Sequence, residues 1–364
     1  MEQARFARWS VLSRVTVLLT VGLLLSLLQP SSASAVEPVR AGQESSLIRA
    51  VFADDRLWLL SDAGELSSIE PSGNERVIQH LPEPALDLCV SHGQPQVVTG
   101  EAAAAWTLRT RSPDGTWTTS GDVPHRDDHL IAMRCADSGT TTLLTRTRLI
   151  EMADHGRTRS VDLHGTLPPG IVSTTYDDES ALYVAINGGE WGGGLQRIDR
   201  LTGDVTPIER KGADICSGPL NAGCDPVNGI AAEPWNPRCL AVAVGLIHMI
   251  AHGRIVQVCG TDIRELYAKP YVGSFGAAFF RNTPSKETVP FFGLVASGGS
   301  LWAAGADGLY RIDASGKTTM RPLPAFKTIG GIEVSFDDPL IILVMTSANQ
   351  RHAVSGQVPM LVVR

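Results

Sequence analysis

The chain predicts an all-β fold: a single β-propeller of seven four-stranded blades, with six as the alternative count. Three observations carry this. The 364 residues include 36 Gly and 22 Pro, whereas only 19% are charged and 43% are hydrophobic. That much turn chemistry with so little charge speaks against a coiled coil or helical bundle, and the apolar content speaks against disorder. Short apolar runs alternate with Asp/Gly turns, and helical periodicity is missing almost everywhere. The pattern also repeats along the chain.

One repeat unit is an apolar strand, a short Asp/Gly turn and a second apolar strand, as in residues 50–60 (AVFADDRLWLL). The second-strand anchors fall near 57, 97, 143, 182, 240, 301 and 340. A base spacing of about 40 residues with two insertions suits a four-stranded propeller blade. Third strands show as near copies, GLQRID at 194–199 and GLYRID at 308–313, each leading into a Gly-bearing turn. The last repeat supplies three strands. Residues 37–43 are expected to add its fourth and close the ring, which would remove open sheet edges.

Ahead of the repeats, Arg5, Arg8 and Arg14 precede an apolar run over 15–28, and Ala33, Ser34 and Ala35 follow as a small-residue cleavage site. This is the layout of a secretory signal peptide over 1–35, leaving a propeller domain over 36–364. The alternative is a retained membrane anchor. A 14-residue helix spans roughly 21 Å, short of a hydrocarbon core of about 30 Å. The expected location is therefore secreted or periplasmic. Six cysteines at 89, 135, 216, 224, 239 and 259 fit disulfides in an exported chain, and no C-x-x-C spacing supports zinc or thioredoxin-like chemistry. Cys216 and Cys224 are expected to close a small loop. Cys89 and Cys135 occupy equivalent positions in adjacent inner strands and can bridge only if their Cα atoms lie within roughly 7 Å. Cys239 with Cys259 is one further pairing, although the expected strands put them at opposite blade ends. Cys259 with Cys216 or Cys224 is another.

Residues 195–205 (LQRIDRLTGDV) resemble the blade repeat shared by lyase-like, lactonase-like and quinoprotein propellers of bacterial extracytoplasmic proteins. SPDGTW at 112–117 is similar to a shortened Asp box, the hairpin motif of sialidase-type propellers. Both are hairpin motifs. The likeness spans about 48–363, implies the fold, and matches no single family; the Gly-His and Trp-Asp landmarks of WD40 blades are missing. In such propellers the first-to-second and third-to-fourth turns share one face, while second-to-third loops and blade crossings share the other. Here the long segments, 187–193, 210–227, 260–289 and 345–356, all belong to the second set. Long loops on a rigid scaffold usually carry binding groups.

Within those loops, GGEWGGG at 188–194 combines five glycines with Glu190 and Trp191. Its backbone is expected to approach a ligand closely, with a carboxylate and a stacking ring at hand. The plainer reading is a wide loop with Trp191 packed on a neighbouring blade. Asp225 and Asn228 follow the Cys216–Cys224 loop at the top of the fifth inner strand. Arg264 and Tyr267, with Lys269 and Tyr271, are expected in the long crossing after blade five, suiting a sugar, a peptide or a protein, or else a self-packed lid. Asp87, Asp225, Asn228 and Glu333 near inner-strand starts give an oxygen-rich set suited to Ca²⁺, as the lactonase-like resemblance implies, but this is the lesser expectation and no cofactor is required.

His125 and His129 lie in a crossing loop, where a solvated loop competes with a metal or acid–base site. His248 and His252 would stand roughly 13 Å apart along a strand, too far for one metal, and His252 with Gly253 reads as a hairpin turn. Trp58 and Trp302 occupy equivalent second-strand positions and are expected in the core between blades. No H-E-x-x-H, G-x-S-x-G or Walker motif occurs. A formal charge of −7 without a Lys/Arg run excludes nucleic acid as a natural partner. Two readings follow. The first is an exported, monomeric binding protein that holds a small ligand, glycan or protein partner. The second is a metal-assisted propeller hydrolase or lyase acting on a lactone, glycan or cyclic ester.

Overall fold

The computed structural model describes residues 47–70, 76–100, 105–123, 128–136, 138–153, 157–248, 250–271, 287–322, 331–337, 340–346 and 360–363; for 247, 248, 250 and everything from 331 onward only the backbone is described. The expected signal peptide, the closing segment 37–43, His125 and most of 345–356 fall outside these residues.

Seven antiparallel sheets follow one another along the chain, six of them four-stranded and the last with three described strands. Blades are numbered here in chain order, and strands within each blade from the central channel outward. The first strands are Leu47–Ala53, Ala85–Ser91, Leu130–Cys135, Ile171–Asp177, Val227–Glu233, Phe291–Ser297 and Gly331–Asp337. Each sheet is a simple meander, and the last one's first strand packs between those of blades six and one, completing the circle.

Burial explains the strand sequences. Second strands such as Arg56–Ser61 and Gln94–Thr99 are buried on both faces after their first residue, so they read as continuous apolar runs. Outer strands such as Arg76–Ile78 and Thr158–Asp162 are largely exposed and polar or short, which blunts their free edges. The core is divided among blade interfaces. Trp106, Met133 and Leu143 meet between blades two and three, and Leu144, Leu182 and Ile198 between three and four. Each fully buried side chain of this kind contributes about 1.5–3 kcal/mol. Trp58 is fully buried as expected, with Trp117 edge-on at 5.7 Å. Its counterpart Trp302 is only half-buried; each ring lies under a guanidinium, Arg111 over Trp58 at 5.3 Å and Arg311 over Trp302 at 5.6 Å.

The hairpin motifs are one device used repeatedly. Asp199 Oδ1 accepts the backbone N–H groups of Leu201 and Thr202, Asp313 Oδ1 those of Ser315 and Lys317, and Asp114 Oδ1 that of Thr116. Each carboxylate closes a third-to-fourth turn in the manner of an Asx turn. These hydrogen bonds hold the Asp114 and Asp199 carboxyls below the usual Asp range, and the Ser315 hydroxyl, ahead of the backbone N–H groups, does the same for Asp313.

A second recurring device is a bulge. In each of the six complete blades one residue near the start of the first strand is skipped in the pairing: Ile48, Leu86, Ile131, Ser173, Asn228 and Phe292. A bulge re-aims a side chain, here at the end of the channel where the long loops emerge.

Three disulfides are present, and none of the described cysteines is free. Cys216–Cys224 closes the expected small loop. Cys89 and Cys135 do bridge blades two and three, with Cα atoms 5.7 Å apart, because first strands converge on the axis more closely than the spacing argument allowed. Cys239 and Cys259 also pair, which corrects the expectation that they lie at opposite ends. The reason is the length of the blade-five hairpin. Its strands Asn236–His248 and Ile250–Cys259 pair down to His248 opposite Ile250, so the start of one meets the end of the other. His252 and Gly253 accordingly lie inside a strand, opposite Leu246 and Gly245, and not in a turn.

Candidate functional site

The long-loop face of blades four and five is built by two loops that dock on each other. Residues 188–192 join the second and third strands of blade four around a single 3₁₀ turn, Gly189–Trp191. Residues 209–226 cross to blade five and contain the Cys216–Cys224 loop. The Gly193 N–H donates to the Ala222 carbonyl and the Gly194 N–H to the Asp225 carbonyl, both at 2.9 Å. The expectation that these glycines admit a ligand is corrected: they admit a neighbouring backbone. A Cβ on Gly192 would stand 2.5 Å from the Ala222 oxygen, and one on Gly194 2.6 Å from the Ala222 Cα. Both residues also hold positive φ, at 75° and 70°, which only glycine adopts without strain.

Asp225 is the hub beneath these loops. Its carboxylate is 1% exposed, accepts the Asn221 N–H at 2.7 Å and an Arg254 N–H at 2.5 Å, and lies 3.2 Å from His252 Nε2. The Arg254 guanidinium donates further to the Pro219 and Gly218 carbonyls. Asn228, the bulge residue of blade five, donates its amide to the Gly245 and Phe291 carbonyls and accepts from Asn187. Asn228 thus clasps blades four, five and six, whereas the Asp225 carboxylate ties the crossing loop to blade five.

Trp191 and Ile215 are left outside this clasp, 77% and 95% exposed. Trp191 does not pack on a neighbouring blade, and Glu190 beside it is also exposed. Arg264 and Tyr267 are not in a loop. They lie on Asp262–Tyr267, the fourth strand of blade five, so the crossing begins only after them. The Arg264 Nε donates to Gln257. Tyr267 joins Phe291 and Tyr310 in an aromatic cluster, with centroids at 6.2 and 5.8 Å, and burial pushes its phenol pKa up. The structure brings Glu190, Trp191, Asp225 and Asn228 to one region and puts Arg264 elsewhere.

Of the oxygen-rich set, Asp87 is buried and tied. Its Oδ1 accepts from Arg49 Nε at 3.0 Å and from the Leu88 N–H, and its Oδ2 accepts the Met133 N–H at 2.7 Å. The backbone of Glu333 lies in the first strand of the seventh sheet, as expected, and its side chain is outside the description. Among the described residues no three His, Cys, Asp or Glu side chains are grouped to hold a metal ion.

Two cavities follow the axis. One of about 620 Å³ runs between the first strands and touches Arg49, His92, Arg134 and the Cys89–Cys135 bridge. The other, of about 440 Å³, opens among the long loops of blades one to four and is lined by Ile48, Leu86, Ile131, Ile171 and Arg146, with Arg49 and Asp87. Neither this recess nor Ile215 was singled out from sequence. The available signal was the register of the repeats, which sets Ile48, Leu86 and Ile131 against Ser173 and Asn228.

No protein-family model matches this chain, and no curated protein matches it in sequence. Solved structures do resemble it. A catalytically inactive virginiamycin B lyase from Staphylococcus aureus with quinupristin is 16% identical, with a TM-score of 0.55 over 85% of this chain and 94% of that one. YCF48 bound to D1 peptide is 12% identical, with a TM-score of 0.51 over 84% and 91%. The β-propeller domain of the Trilobed protease from Pyrococcus furiosus, described as having an open velcro topology, is 7% identical, with a TM-score of 0.50 over 87% and 95%. At these identities the likeness is one of fold: the chain is a β-propeller.

Proposed function

We propose that this protein is an exported binding propeller that engages a protein partner through the long-loop face of blades four and five. The observation that carries the reading is the presentation of Trp191 and Ile215. Two large apolar side chains stand in solvent on loops held by a disulfide, by backbone hydrogen bonds and by the Arg254–Asp225 clasp. A rigid loop loses little conformational entropy on contact, and tryptophan is the residue type most enriched at interface hot spots. Export is supported by the basic, apolar and small-residue order of residues 1–35 and by three disulfides.

The test places a photoreactive phenylalanine analogue at position 191, 215 or 201 in the cells that make the protein. Leu201 is equally exposed, at 77%, but sits in a third-to-fourth turn on the opposite face. One protein adduct shared by 191 and 215 and missing at 201 is the expected result. Adducts of equal yield at 201, or none at 191 and 215, would overturn the reading.

A further inference from the structure

The bulge position shows what the recess is for. In blades four and five this residue is polar and clasps the next blade: Ser173 Oγ donates to the Val227 carbonyl, and Asn228 to the Phe291 carbonyl. In blades one to three the same position holds Ile48, Leu86 and Ile131, all only half-buried, and all lining the recess of about 440 Å³. The clasp between blades two and three is made instead by the adjacent Asp87, whose carboxylate takes the Met133 N–H. Phe292 of blade six is apolar as well but buried, so what sets blades one to three apart is an apolar bulge residue that keeps exposed surface toward the cavity.

The other walls agree. Ile171 is 38% exposed at the rim, and Leu130, Leu167 and Ile186 extend the apolar surface. Among the described residues no lining side chain is a hydroxyl or an amide, which disfavours a sugar or a peptide backbone as occupant. The charged groups are two Arg and two Asp. Asp87 is spent on Arg49 and two backbone N–H groups, and Asp62 has a partner of its own. Arg146 is different. It stands exposed in the turn between the second and third strands of blade three and has no hydrogen-bond or ion-pair partner among the described residues, while its neighbour Arg148 is taken by Asp128. The recess has mixed walls, and a guanidinium at the edge of its isoleucine and leucine side suits one carboxylate on an otherwise hydrocarbon body.

We propose that this recess binds an aliphatic monocarboxylate, of the free fatty-acid kind, with the chain among Ile48, Leu86, Ile131 and Ile171 and the carboxylate on Arg146. The site is separate from the partner face proposed above and stands or falls independently of it.

The purified chain is titrated calorimetrically with decanoate, with decanol, and with a leucine-ended tripeptide bearing a free carboxylate. Saturable binding of decanoate at one site is expected, with decanol and the tripeptide weaker. Arg146→Gln, an exposed turn substitution, should weaken decanoate about tenfold and leave decanol unchanged, in line with loss of one charge-assisted contact. Ile171→Ser should weaken both, and Trp191→Ala neither. Absence of saturable decanoate binding, equal affinity in Arg146→Gln, or tighter binding of the tripeptide than of decanoate would each overturn the proposal.

Discussion

A Cβ on Gly192 would stand 2.5 Å from the carbonyl oxygen of Ala222, across the seam between the loop of blade four and the crossing to blade five. This contact holds Trp191 and Ile215 on one rigid support. Gly192→Ala is expected to lower stability by about 1–3 kcal/mol, from strain at φ 75° plus the clash, and to expose residues 188–194 to protease. Gly189 has φ 64° but open space around it, so Gly189→Ala should cost only about 1 kcal/mol and leave the seam closed. Urea unfolding and limited proteolysis of the two variants distinguish these outcomes.

Asp87 connects three blades through one carboxylate. Asp87→Ala strands the Arg49 guanidinium and the Leu88 and Met133 N–H groups, and should cost about 3 kcal/mol in urea unfolding. A loss below about 1 kcal/mol would show that water replaces the clasp without penalty.

The disulfides should rank by the loops they close. Cys89–Cys135 spans 46 residues and Cys216–Cys224 only 8. Chain entropy then assigns about 4 kcal/mol to the first and about 2.5 kcal/mol to the second at 25 °C. Paired Cys→Ser variants compared by thermal melting check the order. The smaller loop retains its Arg254 contacts when reduced, so its replacement should also leave the Trp191 emission maximum in place.

Acid should loosen the short-turn face. The carboxyls of Asp114 and Asp199 are held below their unfolded values foremost by turn N–H groups and that of Asp313 foremost by the Ser315 hydroxyl, so their contribution is complete above about pH 4 and is lost as pH falls through the folded pKa. Asp199→Asn should reduce the fall in melting temperature between neutral and strongly acid solution. An unchanged acid limb would count against a role for this turn.

Glu233 behaves in the opposite sense. Its side chain is buried, Oε1 accepts from Gln257 at 2.5 Å, and Oε2 has no hydrogen-bond partner among the described residues; burial raises its pKa. A raised carboxyl favours the fold below its unfolded pKa and loses that advantage as pH rises through the folded value. Glu233→Gln keeps the acceptor for Gln257, so it should raise the melting temperature at pH 8 and change it little at pH 4. Equal effects at both pH values would show that the carboxyl is not the cause.

Much of the architecture was legible along the chain, and for a physical reason. Blade strands are built from contacts between residues a few positions apart, so GLQRID with its Asp199 turn, or the doubly buried run after Arg56, carries its own structure. The Cys216–Cys224 loop was legible because eight residues leave little choice. Cys239 with Cys259 was harder, since it depends on how far the blade-five hairpin extends before turning. Within that hairpin Gly245 and Gly253 lie against the backbone of Phe291 and Pro290 in the next blade, a close approach that a Cβ would block.

The site divides in the same way. Composition, repeat spacing and the gathering of long loops on one face were determined by the sequence alone, because they rest on local turns and burial patterns. That Gly192 and Gly194 lie against a neighbouring loop, while Gly189 has open space around it, was decided by the docking of Ala222. The partners of Asp225 and Asn228, namely Arg254, Gly245 and Phe291, are 17 to 63 positions away and are brought to them only by the tertiary structure. Residue type fixes what a side chain can donate or accept. Only tertiary packing decides which groups have already been taken and which, like Trp191 and, among the described residues, Arg146, are left to meet something else.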